Sequence, residues 1–521
     1  MLLKGAILKL DCALNFSQVM QLLLVVVFHN LRKRYILLVQ REVIVARFSS
    51  VFQLSNSQAE LDFVDIELDG DVPLYLDPYA IQIREDEWSE VCGDHIRSFF
   101  DEVLQGLRAG DNQRVVHLLS HLGEPNETHL GQSKGPPRGR GFGIEKAEKL
   151  ADALRNSRAF ETGLLADVAE AELFIHGVGP DLISDLTTNV LRLPLATYTL
   201  NQCNLYDIET VEVRTLEPCW NPVARRWESR TLHLPVHQGE PILLVPKFSV
   251  RQRLCLDGQE FYNFHMIEYL RAEYLAAGGG IVHFFKDGRP HVFKKDVKER
   301  HPFSKDDLAD FVRDNPNVLE LYKQVKGAEG ALSAKDFDEA FDEREFASGL
   351  PEVLERIPTG NNDADAYHNC VLGILTFLFY PNLINPIKEM AIHEGRKRLD
   401  IKYTNSGERG FFSAILQSPQ TRALSVPVEC KNYSTDVNNP ELDQLTGRFG
   451  HARGFLGFLL CRSVNDRARL LQKCKDAALD GRGVIIILED VDLNEMLRFV
   501  SIGSRRNISD FLQGKLDAVI H

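Results

Sequence analysis

Long hydrophobic runs, paired cysteines and nucleotide-binding motifs are missing from this 521-residue sequence. The apolar run from Leu22 to Phe28 is too short for a membrane span, which needs about 20 apolar residues. Nine cysteines are scattered without a CxxC pair, a pattern that favours reduced thiols in a cytoplasmic protein over a disulfide framework or a zinc site. Without a Walker A motif or a dinucleotide fingerprint, any ATP-driven step would need a separate partner protein.

An excess of positive charge is also absent, since 60 Lys and Arg residues face 74 Asp and Glu residues for a net charge of -14. This balance argues against a basic coat for nucleic acid, although it is compatible with a local basic patch. The imbalance is uneven along the chain. Residues 1–50 hold seven basic and two acidic residues, residues 51–350 hold 32 and 51, and residues 351–521 hold 21 and 21. The acidity therefore belongs to the middle of the chain.

Length and composition predict several domains. A single core stops growing near roughly 250–300 residues, and 44% hydrophobic with 26% charged residues is typical of folded globular chains. We predict an acidic α+β recognition or assembly region over residues 51–350 and a further domain over residues 351–521. Residues 1–50 leave two interpretations open, either a buried strand or helix added to the body, or a poorly ordered extension from a misplaced start codon.

The C-terminal domain shows the clearest pattern of helices and strands. A helix, three strands, a helix, a strand, a helix and a strand follow one another, which implies a mixed sheet sandwiched by helices. In chain order these predicted elements are Tyr367–Tyr380, Glu389–Ile392, Arg398–Tyr403, Leu424–Lys431, Leu442–Phe449, Phe455–Arg462, Asp466–Ala478 and Val484–Leu488. The sequence therefore predicts an α/β domain with a mixed sheet.

Charged residues inside two of these strands indicate a site. The period of two in a strand places Glu429 and Lys431 on one face. Asp400 stands between Leu399 and Ile401 in the preceding strand, and consecutive strands are usually neighbours in a sheet. Two carboxylates about 4 Å apart would repel each other by roughly 4 kcal/mol at an effective dielectric near 20. Such a pair favours a divalent cation, and Mg²⁺ prefers carboxylate oxygens.

Asp400, followed by Glu429-Cys430-Lys431 in this order of elements, resembles the PD-(D/E)xK nuclease superfamily over about residues 360–500. The resemblance implies a restriction-endonuclease-like mixed sheet flanked by helices. It also implies that Asp400 and Glu429 bind Mg²⁺ or Mn²⁺ and that Lys431 positions or activates the attacking water. Two departures stand out. Leu399 replaces a proline, and the first helix lacks a glutamate, for which Asp365 and His368 are the candidate substitutes.

Further residues resemble parts of the same site. Several branches of the superfamily place a glutamine on the helix after the ExK strand, which implies a catalytic role for Gln444; Arg448 stands where those branches have a tyrosine. Gln444 and Arg448 lie one helical turn apart, so both can contact a phosphate. Arg396, Lys397 and Arg398 add positive charge before the first acid and are predicted nucleic-acid contacts.

Two functions of different classes fit these residues. The first is a Mg²⁺-dependent nuclease acting on DNA or RNA, by analogy with its superfamily a prokaryotic restriction or antiphage-defence effector with a partner ATPase or defence protein. The second is a non-catalytic nucleic-acid-binding or scaffold protein with a degenerate nuclease fold, in which the charged cluster is a structural ion pair. Homo-oligomers are compatible with both, and neither needs a membrane.

Overall fold

A computed structural model describes residues 46–131, 143–214, 217–278, 280–389, 400–437 and 439–521, and it describes only the backbone of Glu389 and Asp400. Residues 47–521 form one compact unit. The two interpretations of residues 1–50 therefore concern positions that lie, apart from the last five, outside the described residues. Within the described ranges, no helix combines the length and apolar character needed to cross a bilayer.

Helices dominate the region before residue 340. They are α1 Phe48–Val51, α2 Pro78–Gln82, α3 Glu87–Ala109, α4 Asn112–Leu119, α5 Ile144–Arg155, α6 Arg158–Glu161, α7 Ala171–Phe174, α8 Pro180–Val190, α9 Arg192–Leu205, α10 Gly258–Phe261, α11 Ile267–Ala277, α12 Lys294–Arg300, α13 Lys305–Asp314, α14 Pro316–Gly327 and α15 Ala334–Phe337. A π-helical turn, Tyr262–Met266, joins α10 to α11.

The longest helix, α3, confirms the amphipathic pattern of its sequence. The Asp86 side chain caps its first turn by accepting a hydrogen bond from the Ser89 N–H. Gly110 ends it in the left-handed conformation, at a φ of 70°, which only glycine adopts without a steric cost. Apolar side chains at helical spacing, including Phe99 and Val103, are buried in the core. Cap, periodicity and stop signal therefore agree at this helix.

Strands in the same region are short and pair antiparallel in twos. The pairs are β1 Tyr75–Leu76 with β8 Val250–Arg251, β2 Val211–Arg214 with β5 Thr231–Leu234, β3 Cys219–Asn221 with β4 Arg226–Glu228, β6 Val236–His237 with β7 Glu240–Pro241, and β9 His283–Phe284 with β10 Pro290–His291. None of these pairs forms a larger sheet.

The C-terminal region contains one five-stranded sheet with helices around it. Its helices are α16 Glu343–Glu355, α17 Ala364–Phe379, α18 Gly410–Gln417, α19 Asn439–Thr446, α20 Arg467–Leu479, α21 Asp490–Ser501 and α22 Asn507–Ile520. Its strands are β11 Leu383–Glu389, β12 Asp400–Asn405, β13 Ser425–Lys431, β14 Leu456–Cys461 and β15 Val484–Glu489. These strands lie side by side in chain order.

Strand direction changes once across this sheet. β11, β12 and β13 form an antiparallel meander, whereas β13, β14 and β15 run parallel. Helix α17 packs against β13 on one face, where Thr376 hydrogen-bonds the Tyr403 hydroxyl at 3.0 Å. Helix α19 packs against β13 and β14. The predicted mixed sheet between helices is confirmed.

The first strand of the sheet corrects the sequence prediction. The strand spans Leu383–Glu389 rather than Glu389–Ile392, whose last three residues lie outside the described ones. Asn385 and Pro386 lie where the register of β11 against β12 shifts, and proline is tolerated at such an irregularity of an edge strand. Helix α18 was also missed, because its segment follows a glycine and precedes a proline-containing loop.

Two hydrophobic clusters divide the described chain. One gathers buried side chains between Phe48 and Tyr322, and the other gathers mainly residues between Ala347 and Val519. Helix α9 packs along the edge strand β11, where the Gln202 side-chain amide donates to the Pro386 carbonyl at 3.1 Å. The acidic region thus covers one edge of the sheet, and the domain boundary at residue 351 stays a prediction.

Candidate active site

Strand β13 carries a buried acid and a buried lysine on the same face. All seven residues of the strand are buried; the Glu429 residue has 0% of its surface exposed and the Lys431 residue 4%. The Lys431 ammonium donates a hydrogen bond to Glu429 Oε1. A charged pair at this depth is stable only when its partners satisfy each other, because an isolated buried charge is costly.

Helix α19 and the turn after it cover this face of β13. Gly457 of β14 allows the turn after α19 to lie close to the sheet, since a Cβ there would lie 2.9 Å from the Pro427 carbonyl oxygen and 3.0 Å from the Phe449 ring. The Arg448 guanidinium lies 3.7 Å from Glu429 Oε2. That oxygen has no hydrogen-bond partner among the described residues. Two cations therefore face one carboxylate, and one of its oxygens can still accept a ligand.

The strand register brings Asp400 to the position opposite Glu429. Strands β12 and β13 pair antiparallel, with Ile401 opposite Val428. One further step along the same register places the backbone of Asp400, the first residue of β12, opposite Glu429. Directly opposite residues of an antiparallel pair are near neighbours. The predicted neighbourhood of the two acids stays a prediction, since the paired register ends at Ile401 and Val428.

Helix α17 brings a histidine to the same strand from the other side. His368 is buried, and its Nε2 hydrogen-bonds the Cys430 carbonyl at 2.9 Å. Burial lowers the pKa of this imidazole, and the nearby Lys431 ammonium lowers it further. The second candidate for the missing glutamate, Asp365, is exposed at the start of the helix. Of the two, His368 is the residue that contacts the strand.

The remaining predicted site residues are only partly described. Gln444 lies half-buried on α19, with a polar partner in the structure. Arg448 follows two residues after the end of α19 and contacts Glu429. Arg396, Lys397 and Arg398 lie outside the described residues. The structure thus brings Glu429, Lys431 and Arg448 together, with the Asp400 backbone beside them.

A second polar cluster at the carboxyl ends of β14 and β15 escaped sequence reasoning. The Tyr367 hydroxyl donates to Asp490 Oδ1 at 2.8 Å, and the Arg462 Nε lies 2.9 Å from Asp490 Oδ2. Burial raises the pKa of the Asp490 carboxyl. Since Lys431, Cys461 and Glu489 are in register, these strand ends lie along one edge. The sequence signal for this cluster is that Arg462 and Asp490 directly follow the two apolar strands β14 and β15.

A divalent metal is the cofactor that the site residues imply. Among the described side chains, no group of three or more His, Cys, Asp or Glu residues converges on one point, and the Asp400 carboxyl does not belong to that set. Glu429 nevertheless provides an oxygen without a hydrogen-bond partner, in a buried carboxylate. Carboxylate oxygens suit Mg²⁺, so this oxygen is of the right chemical type, while a set of ligands is not present among the described side chains.

Comparisons with known proteins reach a different part of the chain. A family model described as a domain of unknown function, DUF8370, matches residues 53–257. The match falls in the acidic, mainly helical region and ends before the five-stranded sheet. No curated protein matches the chain, and no solved structure matches it. The candidate site therefore lies outside the matched residues.

Proposed function

We propose that the chain is a metal-dependent nuclease whose active site is built on strands β12 and β13. One observation carries the proposal: an acid and a lysine lie buried and paired on the central strand of a mixed sheet, and Asp400 begins the neighbouring strand, one residue beyond the pair of Ile401 with Val428. A simple structural ion pair explains the contact between Glu429 and Lys431. It does not explain why Asp400 stands at the position where like charges repel.

Each residue has a distinct role in phosphodiester hydrolysis. Asp400 and Glu429 would hold Mg²⁺ or Mn²⁺ through carboxylate oxygens. When bound, the ion polarises a phosphoryl oxygen and makes a water molecule easier to deprotonate. Lys431 supplies a positive charge that orients the water or stabilises charge developing on the phosphate. Arg448 and Gln444, from the covering helix and its turn, would contact a neighbouring phosphate.

A groove on the same face of the sheet, lined by four cations and five acids, is the proposed path for the substrate. It has a volume of about 990 Å³ and its lining includes Lys402, Thr404 and Ser425. Lys402 and Ser425 lie on the Glu429 face, because Lys402 pairs with Pro427 and side chains alternate along a strand. Arg422 and Arg453 also line the groove. Cations along such a surface bind phosphates without reading sequence, so DNA and RNA are both candidate substrates.

The cleavage test compares metal dependence across matched variants. Plasmid DNA and RNA are incubated with the full chain and Mg²⁺, Mn²⁺ or EDTA. We expect metal-dependent cleavage that is lost in Asp400→Asn, Glu429→Gln and Lys431→Met. Lys388→Met is the control, because it breaks a partly exposed ion pair with Asp207 at 2.8 Å on the neighbouring edge strand.

Two outcomes would contradict the proposal. Undiminished cleavage in the three site variants would assign the activity elsewhere. A folded wild-type chain that binds nucleic acid but shows no metal-dependent cleavage would favour the alternative, a non-catalytic binding or scaffold protein. A role in restriction or antiphage defence, a partner ATPase and self-assembly rest on the analogy of fold alone and extend the proposal no further.

A further inference from the structure

Exposed aromatic rings are concentrated in one segment of the chain. Among the described residues, all of the exposed phenylalanines lie between positions 264 and 303. They are Phe264 (62% exposed), Phe284 (70%), Phe285 (50%), Phe293 (50%) and Phe303 (36%). Phenylalanine is usually buried, and a group of exposed apolar side chains is typical of a binding surface. We name residues 262–264 and 283–303 the hairpin surface, because they include the hairpin of β9 and β10.

Rings of the hairpin contact one another in a connected row. The Phe285 and His291 rings are nearly parallel, at 16°, with their centres 3.8 Å apart. Phe293 meets His291 edge to face at 4.3 Å, and His283 lies 5.0 Å from Phe293. Phe284 lies on the opposite face of β9 from His283, because side chains alternate along a strand. Neighbouring rings hold one another in place, which lowers the conformational entropy lost when a flat ligand binds.

Positive charge lies beside these rings. Residues 283–300 contain six basic and three acidic residues, although the wider region 51–350 is strongly acidic. The Arg289 guanidinium lies over the Phe285 ring, 5.7 Å from its centre. The Lys294 ammonium lies over the Phe264 ring at 5.2 Å. A cation and an exposed ring therefore lie side by side twice on this surface.

The acids of residues 283–300 are each paired within the segment. Asp287 pairs with Arg289 at 2.7 Å, Asp296 hydrogen-bonds His283 at 2.7 Å, and Glu299 lies 3.6 Å from Lys295. Three cations, Lys286, Lys298 and Arg300, form no ion pair with a carboxylate in the part of the chain that the structure describes. The hairpin surface thus keeps positive charge that its own acids do not neutralise.

The position of this charge decides between ligands. Lys286, Asp287 and Arg289 occupy the tip of the hairpin, whereas the rings lie along its sides. Insertion of the rings into a bilayer would bury these charges, which is costly. In nucleic acid, by contrast, bases stack on aromatic rings and phosphates attract cations. A side chain can stack only on a base whose face is free, so the strand must be unpaired.

We propose that the hairpin surface binds single-stranded nucleic acid, with unpaired bases stacked on exposed rings such as Phe284 and Phe293. The phosphates then contact the cations that lack carboxylate partners. Contacts to base faces and phosphates tolerate any sequence. Because the hairpin surface is separate from strands β12 and β13, this inference goes beyond the proposed cleavage and does not depend on it.

Fluorescence anisotropy of the full chain tests the proposal with labelled oligo(dT) and oligo(U) of about 20 nucleotides, longer than typical single-strand sites. Titrations contain EDTA, so metal-dependent cleavage does not interfere, and a duplex of equal length is the comparison. We expect the single strands to bind more tightly than the duplex. Phe284→Ala and Phe293→Ala should each weaken single-strand binding by about fivefold or more. Val223→Ala, which trims a side chain 92% exposed between β3 and β4, is the matched control.

Further variants separate stacking from apolar contact and from charge. Phe284→Leu stays apolar but loses the flat ring, so it should bind as weakly as Phe284→Ala, whereas Phe284→Tyr should bind like the wild type. Lys286→Gln should reduce the slope of log affinity against log salt by about 0.7, the value for one phosphate contact with a single strand. The Phe284 variants should leave that slope and the unfolding temperature unchanged.

The catalytic site and the membrane alternative have their own controls. Glu429→Gln should bind single strands as the wild type does, and a loss of binding there would place the strand at the candidate active site instead. Absence of single-strand binding, equal binding of the duplex, or full affinity in the Phe284→Ala/Phe293→Ala double variant would each overturn the inference. Ring-dependent binding to vesicles of phosphatidylserine and phosphatidylcholine, without binding to either oligonucleotide, would also overturn it and assign the surface to a membrane.

Discussion

Replacing Lys431 with methionine should make the chain bind divalent metal more tightly while weakening its structure without metal. Methionine keeps most of the length of the side chain but removes the ammonium that hydrogen-bonds Glu429. Breaking a buried ion pair by removing one partner typically costs about 3–5 kcal/mol. Arg448, 3.7 Å from the other carboxylate oxygen, compensates in part. We therefore expect the free energy of unfolding in EDTA to fall by about 3 kcal/mol in this variant.

Metal should restore more stability to the variant than to the wild type. In the wild type the Lys431 ammonium competes with a cation for the charge of the Glu429 carboxylate, and hydrogen bonds to charged groups are worth about 1.5–3 kcal/mol. Removing that competition corresponds to about 10–100-fold tighter metal binding. At saturating metal the same difference appears as about 1.4–2.7 kcal/mol of extra stabilisation. Cleavage is lost in this variant although metal binding improves.

Hydrogen exchange of peptides from β13, followed by mass spectrometry, measures how much the metal stabilises this strand. Tryptophan fluorescence is less suitable, because the tryptophans, Trp88, Trp220 and Trp227, all belong to the other hydrophobic cluster. Lys388→Met serves as the control and should show no metal-dependent difference from the wild type. The reasoning is refuted if Mg²⁺ or Mn²⁺ protects β13 equally in the wild type and the Lys431→Met variant, or protects it in neither.

Three further predictions use other parts of the structure. Burial raises the pKa of Asp62 from 3.8 to about 6, so folding takes up a proton between these two pH values. The stabilisation by protonated Asp62 is therefore lost as the pH rises through about 6. Asp62→Asn should remove up to about 3 kcal/mol of this pH dependence of the free energy of unfolding, measured by urea unfolding. Glu87→Gln with Glu90→Gln, which remove acids lining the groove beside Lys402, should raise nucleic-acid affinity several-fold at low salt in anisotropy titrations if the proposed function holds, with less gain at high salt. Gly457→Ala, whose new methyl group would lie 3.0 Å from the Phe449 ring, should cost about 1–3 kcal/mol in thermal unfolding.

The core of the candidate site was predictable because it depends on strand periodicity. Alternation along β13 determines that Glu429 and Lys431 share a face, whatever the rest of the chain does. The antiparallel order of short, consecutive strands then brings Asp400 beside them. Both steps use local rules, and the observed register agrees with them. The contact of Arg448 with Glu429 also follows from a helix that crosses the same face.

Other elements were decided by tertiary packing. Residues 61–68 alternate like a strand, yet Phe63 and Glu67 form only isolated bridges, with Pro246 and Arg47. The buried Asp62 and Asp65 side chains of this segment accept hydrogen bonds from the Tyr198 hydroxyl and the Ser49 backbone N–H. The cavity of 480 Å³ beside Lys247 and Arg409 likewise corresponds to no sequence motif. Lys247, Arg409 and Arg506 line it, although about 160 and 100 positions separate them in the chain. Only the fold brings these three cations together.

The net charge of -14 does not show that acidic and basic residues line the same groove. Acids of the segment before and within α3, including Glu87 and Glu90, line the same groove as Lys402, Arg422 and Arg453. Phosphates entering that groove meet attraction from the sheet and repulsion from the helix. Nonspecific binding depends almost wholly on this electrostatic sum, whereas a metal-assisted cleavage site adds contacts that the acids do not weaken. Under the proposed function, the acidic region would disfavour nonspecific binding of nucleic acid more than productive binding, and the charge-removing variants should lose this discrimination.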